Sequence, residues 1–240
     1  MKLFIYLFTL LTIYSCNSKK DVIVKHKGAL YNIMHKGDLS AKVDLNEFES
    51  RDGLYGIGAV ENLKGEILIL DGVSYVSFCE MNDSLKVNTI KKTFDVKATL
   101  MVYSQVKNWI DIKIPLDVKS YKQFEDFVIS EAIRQGLDTE TPFPFLIDGE
   151  FDSFDWHVID WKKGDLEHSH DKHIQAGLNG TKQNSNGIVL GFYSNKHHSI
   201  YTHHTTNMHL HIKTDNNDLV GHVDDLIIGN RAILRLPISN

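Results

Sequence analysis

Asn207-Met208-His209-Leu210-His211-Ile212-Lys213-Thr214-Asp215-Asn216-Asn217-Asp218-Leu219-Val220-Gly221-His222-Val223-Asp224 is the stretch around which the rest of the chain can be read. Two apolar, alternating runs flank the polar centre Asp215-Asn216-Asn217-Asp218, which is the pattern of a β-hairpin. Strand side chains alternate between faces, so His209 and His211 point to one side while Met208, Leu210 and Ile212 point to the other. Centring the turn on Asn216-Asn217 sets His211 directly opposite His222. Three imidazoles then share one face. Imidazole suits zinc and its divalent neighbours, and three protein ligands with a fourth position open is the pattern of a catalytic ion rather than a structural one. His209, His211 and His222 are therefore the candidate metal ligands. A chain with 13 histidines can place a few on a strand merely as exposed polar residues, but here an otherwise apolar strand reserves one face for histidine.

Outward from the hairpin, the chain reads mostly as strand. Residues 187–193 form an apolar run, 199–205 lead into the hairpin, and 223–228 and 232–236 follow it. Nearer the start, 30–34, 54–60, 66–70 and 73–78 are short apolar or alternating runs punctuated by Gly53, Gly65 and Asp71-Gly72, which predicts hairpins. Two more strands are expected at 97–106 and 109–114. Over 120–135 the period changes: Tyr121, Phe124, Val128 and Ala132 recur at helical spacing, Ser120 with Gln123 makes a capping box, and Gly136 marks the stop. Strands are expected again at 142–145 and 151–159, joined by a turn at Asp148-Gly149. The polar segment 162–186 reads as a connector, and its Glu167-His168-Ser169-His170-Asp171-Lys172-His173 cluster as an exposed loop rather than a second metal site. The expected fold is α+β: mixed or antiparallel sheets in two halves, 29–161 and 187–240, with one main helix and the metal site on the C-terminal β-hairpin.

The first 15 residues carry Lys2 and then an apolar run too short to span a bilayer, the composition of a signal peptide. Ile13-Tyr14-Ser15-Cys16 resembles a bacterial lipobox, which makes Cys16 the lipidated first residue of the mature chain and 16–28 a tether. The protein is then exported and lipid-anchored in the bacterial cell envelope, touching the membrane through that anchor only. Cys79 is the one other cysteine, so no internal disulfide is expected. A net charge of −5 with no basic stripe argues against nucleic acid as a partner.

Several ordered motifs together resemble the alpha-acetolactate decarboxylases. Leu54-Tyr55-Gly56-Ile57-Gly58-Ala59-Val60, Leu63-Lys64-Gly65-Glu66-Ile67-Leu68 and Asp71-Gly72 look like that family's N-terminal signature. Pro144-Phe145 with Ile147-Asp148-Gly149 looks like its central strands, and His209-Leu210-His211 with Gly221-His222-Val223 like its metal hairpin. The resemblance runs from about 29 to 237. It implies zinc, or another divalent transition metal, on His209, His211 and His222, and a catalytic acid at Glu66. Where the family has a substrate-orienting arginine, this chain has His157, which offers one contact in place of a bidentate fork. The second functional glutamate that relatives carry beyond the last strand has no plain counterpart here.

The expected activity is a zinc-dependent decarboxylation of 2-acetolactate, or a related 2-hydroxy-3-oxo acid, to acetoin and carbon dioxide, with Glu66 and His157 as the catalytic residues. A homodimer is allowed for. Two other classes fit a His-x-His strand with a distant histidine: a cupin-like metal oxygenase, and a non-catalytic envelope metal-binding lipoprotein.

Overall fold

The computed structural model describes residues 22–202 and 205–238; the predicted signal peptide, Cys16 and the start of the tether lie outside them. In chain order the elements are β1 (Lys25–Lys27), α1 (Leu30–Lys36), β2 (Val43–Asp44), β3 (Leu54–Val60), β4 (Glu66–Leu70), β5 (Val73–Asn82), β6 (Leu85–Lys92), β7 (Lys97–Gln105), β8 (Trp109–Lys113), α2 (Tyr121–Arg134), β9 (Phe143–Val158), α3 (His170–Ala176), β10 (Leu178–Tyr193), β11 (Met208–Thr214), β12 (Val220–Ile228) and β13 (Ile233–Pro237). The first sheet runs β1-β7-β3-β4-β5-β6, with β2 also on β7. The second runs β10-β11-β12-β9-β13-β8, and β10 pairs with β9 as well, so the ring β9, β10, β11, β12 closes on itself. Closure removes edges that would otherwise expose unpaired backbone groups. The α+β architecture in two antiparallel sheets with one main helix is thus present.

Period-two alternation decides what each strand buries. In β4, Ile67 and Ile69 join Val43, Leu45 and Phe48 in a core on the outer face of the first sheet. Leu68 points the opposite way, into a core shared between the sheets with Ile57, Leu100, Leu146, Leu190 and Phe192. Glu66 has the parity of Leu68, so it too faces the second sheet. In β11, Leu210 and Ile212 enter a third core with Phe124, Val128 and Ala132 of α2. That sends His209 and His211 to the other side, toward Glu66. The main helix begins as expected: the Ser120 hydroxyl accepts from the Gln123 backbone, the Gln123 side chain accepts from the Ser120 backbone, and Gly136 follows the helix with φ 77°.

Three expectations need correction. The 30–34 stretch is helical: the Leu30 and Tyr31 amides bond Ile200 and Ser199 carbonyls, and Gly37 closes α1 in the left-handed region. A five-residue apolar run does not separate helix from strand, whereas His35-Lys36-Gly37 is a helix ending. Asp148-Gly149 is no turn, because β9 continues through it with Gly149 opposite Gly187. The glycines serve close approach: a Cβ on Gly149 would lie 2.7 Å from the Arg231 carbonyl oxygen, and one on Gly187 2.6 Å from that of Lys213. Lastly, the chain changes sheets between β7 and β8, not at 162–186. That polar segment holds α3 and the exposed arm of β10, whose pairing with β9 depends on backbone rather than on apolar side chains.

Gly149 also sits at φ 135°, a region L side chains rarely adopt. Gly149→Ala should therefore destabilise the fold by about 2–4 kcal/mol from backbone strain plus the carbonyl clash. A urea melt with an unchanged midpoint would remove this account of the long strand.

Candidate functional site

The hairpin forms in the expected register, with His211 opposite His222. One ligand atom from each of His209, His211 and His222 lies within 4.8 Å of the others, and all three residues are buried. Their ring centroids are 5.0–5.3 Å apart. His211 has no exposed surface, and neither of its ring nitrogens has a hydrogen-bond partner of acceptable geometry, although the Ile67 backbone lies close enough to favour protonation weakly. Burial, reinforced by His157, pushes the His211 imidazole down to about 3, so the ring is neutral and a lone pair is available. A buried imidazole left unsatisfied costs about 1–3 kcal/mol. A borderline divalent cation held between His211 and the neighbouring His209 and His222 would satisfy it, so the donor set fits the ion that the hairpin suggests.

Across the interface between the sheets stands Glu66, 4% exposed. Its Oε1 accepts from the Ile159 amide at 3.3 Å and lies 3.8 Å from His157 Nε2, while Oε2 lies 3.6 Å from His211 Nε2. Burial pushes the carboxyl up to about 7, against the opposing pulls of His157 and the Ile159 amide. The turn-flanking glutamate is therefore not solvated. It is held by β4 parity against the three histidines of the opposite sheet.

His157, on β9, is buried beside the same group. Its Nδ1 is 2.8 Å from Asp224 Oδ2, and its ring centroid is 4.7 Å from that of His222. Burial, the largest influence, favours the neutral ring, but the hydrogen bond and charge of Asp224, helped by Glu66, outweigh it and hold the imidazole above its ordinary range. In the sequence Asp224 is one of an adjacent pair, Asp224-Asp225, at the end of the hairpin, and no local pattern marks it as a partner of His157. A register irregularity lies between Val223 and Asp225 in the pairing with β9, and the Asp224 carboxylate reaches His157 there.

Glu66, His157, His209 and His222 line a pocket, partly open to solvent, with Leu30 and Ile33 of α1, Leu63, Leu100, Ile159, and His170 and His173 of α3. The 167–173 cluster is thus not a free loop. Ser169 caps α3, His168 Nδ1 lies 2.9 Å from His173 Nε2, and Trp161 stacks on His168 at 4.5 Å. His170 Nε2 comes within 3.9 Å of Asp224 Oδ1. The signal for this placement was Ser169 ahead of a helical turn, which histidine composition obscured.

The family model described as alpha-acetolactate decarboxylase matches residues 26–237. The fold is similar to that of alpha-acetolactate decarboxylase from Bacillus subtilis strain 168, with a TM-score of 0.69 at 15% identity over 90% of this chain and 85% of that one. It is similar to acetolactate decarboxylase from Bacillus subtilis subspecies spizizenii, at TM-score 0.68 and 16% identity over 89% and 85% of the two chains. A Staphylococcus aureus protein of unknown function, itself described as similar to alpha-acetolactate decarboxylase, gives 0.64 and 18% over 89% and 84%. No curated protein sequence matches the chain.

Proposed function

The chain belongs to the alpha-acetolactate decarboxylase family, and from that premise we propose that it is a metal-dependent carboxy-lyase converting 2-acetolactate, or a closely related 2-hydroxy-3-oxo acid, into the hydroxyketone and carbon dioxide. The observation that carries this reading is the buried Glu66 carboxyl set 3.6 Å from His211, where the His209, His211 and His222 imidazoles converge beside a pocket lined by Glu66, His157, His209 and His222. His209, His211 and His222 would hold the ion, zinc by the preference of an all-imidazole set. Bound there, it would polarise the substrate's hydroxyl and ketone oxygens and offset the negative charge left behind by carbon dioxide.

The chain's own groups supply the rest. Leu30, Ile33, Leu63, Leu100 and Ile159 make an apolar wall against which the substrate's methyl groups pack. Decarboxylation breaks the bond to the carboxylate carbon and leaves its electron pair on the substrate as an enediolate. Glu66, fixed by the Ile159 amide through Oε1, donates a proton from Oε2 to the carbon that lost carbon dioxide. Delivery from one face gives a single stereoisomer of the product. His157, oriented by Asp224, offers one hydrogen bond where relatives place an arginine, so it holds the departing carboxylate less firmly than a bidentate guanidinium would.

Metal analysis of the purified protein together with carbon dioxide and chiral acetoin measurements on racemic acetolactate tests the reading. One ion per chain and consumption of acetolactate are expected. A fully metallated protein that releases no carbon dioxide from acetolactate or its longer-chain analogues would refute it.

A further inference from the structure

Asp224 has a second oxygen that the chemistry above does not use. Oδ2 is engaged by His157 at 2.8 Å, but Oδ1 is buried and makes no hydrogen bond. A carboxylate oxygen in that condition is costly to leave unmatched. What faces it is imidazole: His222 Nε2 at 3.7 Å and His170 Nε2 at 3.9 Å. Those spacings are too long for hydrogen bonds. They are close to the separation of two atoms bound to one cation, roughly 3 to 3.7 Å when each lies about 2.0–2.2 Å from it.

We infer that the chain contains a second divalent-cation position, formed by His157, His222 and Asp224, beside the one formed by His209, His211 and His222. One ligand atom from each of these three residues lies within 4.8 Å of the others, as is also true of the three-histidine set. The two positions share His222, so they are alternatives for a single ion. Two imidazoles and a carboxylate make the second position the harder of the two, suited to ferrous, manganous or cobaltous ions as well as zinc. His170 of α3 stands beside this position, its Nε2 3.9 Å from Asp224 Oδ1. The inference rests on the reading above only through the shared His222.

Cobalt(II) is the probe, added to the purified chain and to the His211→Ala, Asp224→Asn and doubly substituted variants, with bound metal measured by equilibrium dialysis and the visible spectrum recorded. The original chain and Asp224→Asn should each bind one ion. His211→Ala should still bind one, about tenfold to a hundredfold more weakly and with an altered spectrum, and the double variant should bind none. Folded His211→Ala that binds no cobalt, or that binds it no better than the double variant, overturns the inference and leaves the three-histidine reading standing. Loss of the ion in Asp224→Asn but not in His211→Ala would instead uphold the second position and defeat the three-histidine one. A starting protein that binds no cobalt defeats both.

Discussion

His222→Ala is expected to strip the protein of metal and to lower decarboxylation by roughly a thousandfold, since the ion is asked to supply several kcal/mol of charge stabilisation and each 1.4 kcal/mol is tenfold in rate. The position is chosen because His222 is the one imidazole that belongs to both ligand sets. If the ~10–16 kcal/mol typical of a four-ligand zinc site is spread over its ligands, losing one costs about a hundredfold or more in affinity. Removing the ring should not unfold the chain, because His222 sits outside the apolar cores that hold the sheets together. Inductively coupled plasma analysis and a carbon dioxide assay on the same preparation check both halves of the expectation. Stoichiometric metal in His222→Ala, with a rate close to the original, would show that the hairpin histidines do not hold the functional ion.

That experiment aims at the part of the protein most legible in the sequence. The hairpin could be read to single-residue register because its apolar alternation and its four-residue polar centre agree, and a one-residue slip would have sent the histidines into the core with Leu210 and Ile212 on the wrong face. The capping box at Ser120 and Gln123 was equally clear, since its signal is local hydrogen bonding rather than distant packing. The Glu66 position came from the resemblance alone. Its burial depends on a sheet-to-sheet contact that no local pattern encodes, and a glutamate after Lys64-Gly65 otherwise reads as solvated.

What stayed hidden has a common physical origin. The continuity of β9 through Gly149, the pairing of the polar arm of β10 and the approach of α3 to Asp224 are all set by partners distant in sequence. Asp-Gly favours a turn only while no neighbouring backbone claims the space beside the glycine; here the Arg231 carbonyl does. Polar residues on β10 read as a linker because their side chains face water, yet their amides and carbonyls complete a ladder. The His157 to Asp224 contact depends on a register irregularity in β12, which side-chain periodicity does not announce.

Glu66→Gln should separate proton delivery from metal binding. The substitution keeps the size of the side chain and an oxygen able to accept from the Ile159 amide, so the loop after β9 has no reason to move. It removes the acidic proton. If Glu66 protonates the enediolate, turnover should fall by about 10²–10⁴, the usual contribution of a positioned general acid, while metal content stays at the original value. The product is as informative as the rate. Without a donor fixed over one face, residual protonation comes from solvent, and the acetoin formed should lose enantiomeric purity. Glu66→Asp supplies the control: it retains the acid but draws it back by one methylene from His211, so it should recover part of the stereoselectivity that glutamine loses. A Glu66→Gln protein that keeps its metal, slows markedly and still yields a single enantiomer would mean that the proton comes from another group, with His157, 3.8 Å from the same carboxyl, the next to replace.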